Sequence, residues 1–222
     1  MFDTIAGYYD GTNRILSLGF DAYWRRRGVA LLDPKSEGSY LDVGAGTGDI
    51  ALEILRQRPD SRVVGIDPSR NMLEIGWRKV GDAGLSGRIS LEEGDVLNLR
   101  FEDASFDGAI TSFCIRNVTD RRRGLQEIRR VLKSGSRLVI VELTEPRGPI
   151  MQPLFRIYAR VVMPLVTRIL SSVSAYRYLA NSMADFPAPE VFSNLMHEAG
   201  FVNVQTTHVT GGIVTLFVAE AP

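Results

Sequence analysis

Short apolar runs alternate with amphipathic stretches through the middle of the chain, and this rhythm predicts βαβ units. Tyr40–Val43, Arg62–Ile66, Ile89–Glu92, Phe106–Phe113 and Arg137–Leu143 read as strands. Ile50–Arg56, Met72–Val80 and Arg122–Leu132 read as helices between them. Runs so continuously apolar suit strands buried on both faces, as in a parallel sheet. Two more strand-like runs, 202–209 and 213–219, follow a helical stretch that ends at Glu198-Ala199-Gly200. The pattern predicts a single α/β domain with a doubly wound, Rossmann-like, seven-stranded sheet. Residues 1–37 form a helical lid, 38–145 the core, 146–184 a helical cap insertion, and 185–222 the final helix and strand pair.

Composition narrows the function. Hydrophobic residues make up 45% and charged residues 23%, which excludes a disordered, collagenous or coiled-coil chain. Lys+Arg and Asp+Glu are both 26, so there is no basic excess and no nucleic-acid partner is expected. Cys114 is the lone cysteine, which rules out an internal disulfide and a Cys-based zinc site; no metal is expected. The N-terminus lacks the basic and apolar regions of a secretory signal. No run reaches the ~20 apolar residues of a membrane span. The nearest, 150–170, is interrupted by Arg156, Arg160 and Arg168. A cytoplasmic protein is expected, soluble or peripheral on the inner face of the membrane.

The chemistry starts at Leu41-Asp42-Val43-Gly44-Ala45-Gly46-Thr47-Gly48-Asp49, where the first strand turns into a helix. The glycines let backbone approach a ligand closely. Asp67 ends the second strand 19 residues after Gly48, where an acid accepts hydrogen bonds from a ribose. NAD and S-adenosylmethionine (SAM) share that feature. The spacing is Gly-x-Gly-x-Gly, however, and carboxylates at Asp42 and Asp49 flank the turn. They would repel a pyrophosphate and suit a ligand carrying an ammonium and a sulfonium. SAM is therefore favoured over NAD. Asp95, beside Val96 after the third strand, is placed to accept from an adenine amino group. These loops describe a class I SAM-dependent methyltransferase.

The fourth strand ends in Ser112-Phe113-Cys114-Ile115-Arg116-Asn117-Val118-Thr119-Asp120. Both the Asn-Pro-Pro-Tyr loop of amide methylation and the Pro-Cys pair of base C5 methylation are missing. With no base nearby in sequence, Cys114 reads as a small buried hydrophobe.

The chain resembles the UbiE/MenG family, the C-methyltransferases of ubiquinone and menaquinone biosynthesis. The resemblance runs from Tyr9-Asp10-Gly11-Thr12-Asn13-Arg14-Ile15-Leu16-Ser17-Leu18-Gly19 and Trp24, through Arg116-Asn117-Val118-Thr119-Asp120 and Arg130-Val131-Leu132-Lys133. It continues in Ala175-Tyr176-Arg177-Tyr178-Leu179, Glu198-Ala199-Gly200-Phe201 and Thr210-Gly211-Gly212-Ile213-Val214. The chain departs from the family pattern at Thr12, Cys114, Ser134 and Leu143-Thr144. The resemblance implies SAM contacts at Thr47, Asp67, Asp95, Val96 and Ser112, beside Asp42, Gly44, Gly46 and Gly48 of the turn. It also implies C-methylation of a prenylated quinol ring, a demethylmenaquinol type being preferred to a ubiquinol precursor. Other readings are methylation of another small aromatic or lipid acceptor, a scaffold that has lost catalysis, and a dehydrogenase. Intact glycines and acids speak against the scaffold, and the charge at the turn against the dehydrogenase.

Ring-carbon methylation needs an electron-rich quinol, so a group must support the phenolate. Arg116 is the candidate, since a guanidinium stabilises an anion without losing its proton. Asn117 would orient the phenol or a water, and Tyr9 and Asp10 would reach in from the lid. His197 and His208 read as structural. The apolar stretch 151–165 would line a channel for the prenyl tail or rest on a membrane, and it makes a homodimer plausible.

Overall fold

The protein is described by a computed structural model covering residues 7, 9–162, 182–183 and 185–222. Tyr176, Tyr178 and the cap from 163 to 181 lie outside the described residues, as does the side chain of Tyr9. In chain order the elements are α1 (Tyr9–Leu16), α2 (Phe20–Leu32), β1 (Ser39–Val43), α3 (Asp49–Gln57), β2 (Arg62–Asp67) and α4 (Arg70–Asp82). Then come β3 (Ile89–Glu93), β4 (Phe106–Ser112), α5 (Arg121–Val131), β5 (Leu132–Leu143) and α6 (Met151–Ile157). The chain closes with α7 (Pro189–Glu198), β6 (Val202–Val209) and β7 (Val214–Glu220).

The seven strands lie in the order β3-β2-β1-β4-β5-β7-β6. The β1–β2, β1–β4, β2–β3 and β4–β5 pairs are parallel, and β7 runs antiparallel to both neighbours. The expected seven-stranded sheet is therefore present. Strand order reverses between β1 and β4, which opens a crevice at their carboxyl ends where such sheets bind ligands. The central strands are buried on both faces, as their unbroken apolar runs require. One core layer packs α5 and α7 on the sheet through Leu125, Ile128, Phe192, Met196 and Phe217. The other packs α2, α3 and α4 through Trp24, Val29, Ile54 and Leu73.

Three details position the site. A Cβ on Gly28 would stand 2.6 Å from Val141 Cγ2, so glycine lets α2 press directly onto β5. Trp24 on α2 donates from Nε1 to Thr210 Oγ1 at 2.7 Å, fastening that helix to the β6–β7 turn. Strand β5 begins at Leu132, five residues earlier than its apolar run indicates. The polar residues between are held by Gly135 N–H donating to Ala221 and Ala221 N–H donating to Ser136.

The 151–162 stretch differs from a buried cap helix. It is a short helix followed by a π-helical turn, Tyr158–Val162, with no buried residue, and Ile150, Leu154, Ile157 and Val161 are exposed. Among the described residues, no helix is long and apolar enough to cross a membrane.

Phe192 is fully buried between Phe186 at 4.8 Å and Phe217 at 5.0 Å, ring centroid to centroid. Phe192→Ala is expected to lower stability by about 3–5 kcal/mol, read as a lower urea midpoint at unchanged m-value. An unchanged midpoint would mean that α7 contributes little to the core.

Candidate active site

The turn after β1 is built from backbone bonds. Gly44 and Ala45 N–H both donate to Ile66 O, at 2.8 and 2.9 Å. Gly46 N–H donates to Asp67 Oδ2 at 2.9 Å, and Ser69 N–H to its Oδ1 at 2.8 Å. The Asp67 carboxylate is thus aimed by two backbone groups. Gly44 has φ +73°, and a Cβ there would stand 2.3 Å from Cys114 Sγ; only glycine fits.

Beyond this turn opens a cavity of about 960 Å³ at the switch point. Gly44, Gly46, Asp67, Asp95, Val96 and Ser112 line it, as the sequence predicts, and so do Cys114 and Asn117. Asp95 Oδ1 accepts from Leu97 N–H at 2.9 Å, which holds its exposed loop. Ser112 Oγ is shielded from solvent with no partner among the described residues. Asp42, Thr47 and Gly48 are not on the cavity wall, Asp42 being buried beneath it. Thr47 Oγ1 instead donates to Asp10 Oδ1 at 2.8 Å.

Asp42 is the electrostatic anomaly. It is buried, and neither carboxylate oxygen has a partner among the described residues. Burial, and then the nearby Asp67 charge, pushes its pKa up to about 8. Asp49 differs: Lys79 lies 2.7 Å from it and Arg25 3.4 Å. Of the two acids flanking the turn, only Asp42 is therefore available to favour a cationic ligand. An uncompensated buried acid, an unpartnered hydroxyl and a glycine cradle fit SAM, whose ammonium and sulfonium need a negative environment and whose hydroxyls need acceptors.

A second cavity of about 650 Å³ lies against the first and is mainly apolar. Leu16, Trp24, Phe155, Tyr158 and Ile213 line it, with Asn13, Asp21, Arg25 and Arg116 as polar members. Phe113 lines both cavities and has φ +57°, a strained conformation for a bulky residue. Its ring meets Trp24 edge-on at 6.0 Å.

Arg116 sits at this shared wall, buried. Its Nη1 donates to Glu142 Oε1 and to Phe113 O, both at 2.6 Å, and its backbone N–H donates to Glu142 Oε2 at 3.2 Å. Nε reaches Ser182 Oγ at 3.3 Å. The guanidinium that the sequence assigns to a phenolate thus already carries a buried counter-charge, because a lone cation here would be prohibitively desolvated. Sequence reasoning missed Glu142 as this partner. The signal was an acid inside the apolar run Arg137–Leu143.

The remaining candidates divide clearly. Asp10 bonds Thr47 and also Lys79, 2.6 Å away, outside both cavities. Burial pushes the Cys114 thiol up to about 12, so it stays protonated and unreactive. His197 Nδ1 meets Phe201 O at 3.2 Å and His208 Nδ1 meets Thr215 Oγ1 at 2.9 Å; neither faces a cavity. Burial would raise the pKa of Asp21, but its bond to Arg25 and that charge, with Ser17, outweigh it and hold the carboxyl below the ordinary range. Asp21 is therefore a poor base despite lining the apolar cavity.

Residues 1–220 match the ubiE/COQ5 methyltransferase family. The chain belongs to the ubiE/COQ5 methyltransferase family. It is 46% identical over 98% of its length to a ubiquinone/menaquinone biosynthesis C-methyltransferase UbiE of Geobacter sp. strain M21, covering 93% of that protein. It is 41% identical over 99% of its length to a demethylmenaquinone methyltransferase of Bacteroides fragilis, covering 90% of that protein. The fold is also that of a SAM-dependent methyltransferase from Aquifex aeolicus, at TM-score 0.66 and 17% identity over 89% of both chains. Phosphoethanolamine N-methyltransferase 2 of Haemonchus contortus, solved with SAM, gives TM-score 0.67 and 17% identity over 88% of this chain and 52% of that one.

The state of Asp42 gives a test. Its folded pKa stands above the unfolded value near 4, so its share of stability is present below about pH 4 and is lost as pH rises toward 8. Asp42→Asn is expected to raise the melting temperature of the ligand-free protein at pH 8 more than at pH 5, and to weaken SAM binding in calorimetry. Equal shifts at both pH values would mean that Asp42 is ionised in the folded state.

Proposed function

We propose that the protein transfers the methyl of SAM to a ring carbon of a prenylated quinol, most simply a demethylmenaquinol-type ring. The observation that carries this reading is the abutment of a cavity fitted to SAM and an apolar cavity, with Phe113 in both walls. The family relatives named as quinone-pathway C-methyltransferases support the same acceptor class.

Bound SAM supplies an electrophilic methyl on a sulfonium. Asp67 and Asp95 hold the nucleoside side of that ligand, and Asp42, protonated in the ligand-free site, loses its proton to balance the ligand's positive charge beneath the glycine turn. Trp24, Leu16 and Ile213 exclude water from the ring and the start of the tail. The Phe113–Asn117 turn fixes how deeply the ring enters, and such positioning contributes much of the acceleration. Arg116, with its charge balanced by Glu142, lines the acceptor cavity and places positive charge beside a phenolate oxygen. Asn117 reaches the same boundary from the SAM side. The phenolic proton leaves through water, because Asp21 is held too acidic to take it.

Exposed Ile15, Leu18 and Phe20 stand on the α1–α2 side of the apolar cavity, and Ile150, Leu154 and Ile157 on the α6 side. We assign this rim to the membrane surface in which a prenylated quinol resides. Flotation with anionic vesicles should fall for Arg156→Glu/Arg160→Glu. Flotation unchanged by the substitutions would remove that assignment, and a concentration-dependent dimer would give the rim to a second copy.

The reaction is tested by anaerobic transfer from labelled SAM to a chemically reduced, short-chain demethylnaphthoquinol and to a demethylated benzoquinol. Label is expected on a ring carbon, with the naphthoquinol preferred. Binding of SAM without label in either ring would reject the quinol.

Arg116→Ala leaves Glu142 buried with backbone N–H partners but without its cation, so it should cost about 3–5 kcal/mol of stability and abolish turnover together. The double variant Arg116→Met/Glu142→Leu is expected to recover the stability but not the turnover. Recovery of turnover would show that Arg116 serves only to satisfy Glu142.

A further inference from the structure

Lys79 stands on α4, away from both cavities, yet three oxygens converge on its ammonium. Asp10 Oδ2 lies at 2.6 Å, Asp49 Oδ1 at 2.7 Å and Thr47 Oγ1 at 2.9 Å. These come from three different places: the lid helix α1, the start of α3, and the glycine turn. Thr47 also donates to Asp10 Oδ1, so the lid carboxylate is bound to the turn and to the lysine at once. The chain has only three lysines, Lys35, Lys79 and Lys133, in a cation set otherwise made of arginine. A compact ammonium with three rotatable donors suits three convergent oxygens better than a planar guanidinium.

The cluster continues toward the apolar cavity. Arg25 bridges Asp49 at 3.4 Å and Asp21 at 2.6 Å, and Ser17 donates to Asp21 at 3.0 Å. Ser17, Asp21 and Arg25 line that cavity, as do Asn13 and Leu16 of α1. A contiguous polar network thus runs from the cofactor turn to the acceptor wall, and it crosses α1 at Asp10. Such a network carries coupling only if it has an element with two arrangements. The short helix α1, joined to the turn through Asp10, is the element on which such a coupling would act.

We propose that Lys79 is a positioning residue that locks the lid helix onto the glycine turn, so that SAM in its cavity completes the wall of the acceptor cavity. The inference rests on the SAM site and on the apolar cavity as acceptor site. When the turn is held by its ligand, Thr47 and Lys79 present a fixed seat to Asp10, and α1 closes beside the acceptor. The acceptor then binds well only to the SAM-loaded enzyme. The balance is one of binding free energy, so acceptor should tighten SAM by the same factor.

Hydrogen exchange of the α1 amides on the full chain tests this without turnover. SAM should slow exchange across 9–16 in the wild type. Lys79→Met should exchange faster there and lose the response to SAM, while SAM affinity changes less than about threefold and acceptor KM rises about tenfold. Asp10→Asn should do the same, and the double variant should be no worse than either single one. Should Lys79→Met fail to fold, Asp10→Asn carries the comparison from the lid side. Wild-type exchange in the folded variant, or additive losses in the double variant, would overturn the lock. If SAM protects α1 through Lys79 but no quinol is methylated, the lock stands and the acceptor reading falls.

Discussion

Glu142 is a fully buried carboxylate at the end of a central strand, and its charge is tolerable there because Arg116 meets it at 2.6 Å. Desolvating both ions costs more than their attraction returns in most proteins, so the pair is poorly explained as a source of stability. Its value lies in shape. By bonding Glu142, its own segment and Phe113 O together, Arg116 forces the chain after β4 into a tight turn. That turn pushes Phe113 into φ +57° and sets its ring between two cavities. The wall between the two cavities follows from that arrangement, on top of the crevice opened by the reversal of strand order.

The second constraint is charge balance around the glycine turn. Asp42, Asp49 and Asp67 crowd one end of the sheet, and each is handled differently. Lys79 and Arg25 meet Asp49, backbone N–H groups from Gly46 and Ser69 meet Asp67, and Asp42 is left protonated by burial. The ligand-free site therefore holds its charge balance by keeping a proton on Asp42, which a cationic ligand can displace. A cation entering beside the turn is favoured for the same reason that an unpaired buried acid is costly.

Strand and helix periodicity made the sheet legible, because parallel strands buried on both faces leave long apolar runs. That Asp67, Asp95, Gly44 and Gly46 would face one cavity was legible because each is fixed by its place at a strand end. Residues whose partner is distant in sequence were not. Arg116 read as a lone cation because Glu142 lies 26 residues away, and Lys79 gave no signal because its partners come from three elements. Thr47 read as a cofactor contact, yet its hydroxyl is turned to Asp10. Trp24 and Thr210, both inside the segments that carried the family resemblance, turn out to be partners across 186 residues. Local pattern encodes elements, whereas the chemistry at their ends depends on which ends meet.

A structure with S-adenosylhomocysteine and a redox-stable hydroquinone analogue tests the account most directly. The sulfur should lie in the cavity lined by Gly44 and Asp67, and the aromatic ring in the one lined by Trp24 and Ile213. The two should face each other across the Phe113–Asn117 turn, with a ring oxygen within hydrogen-bond reach of Arg116 or Asn117. A ring found anywhere else, or a turn displaced with the Arg116–Glu142 pair broken, would contradict it.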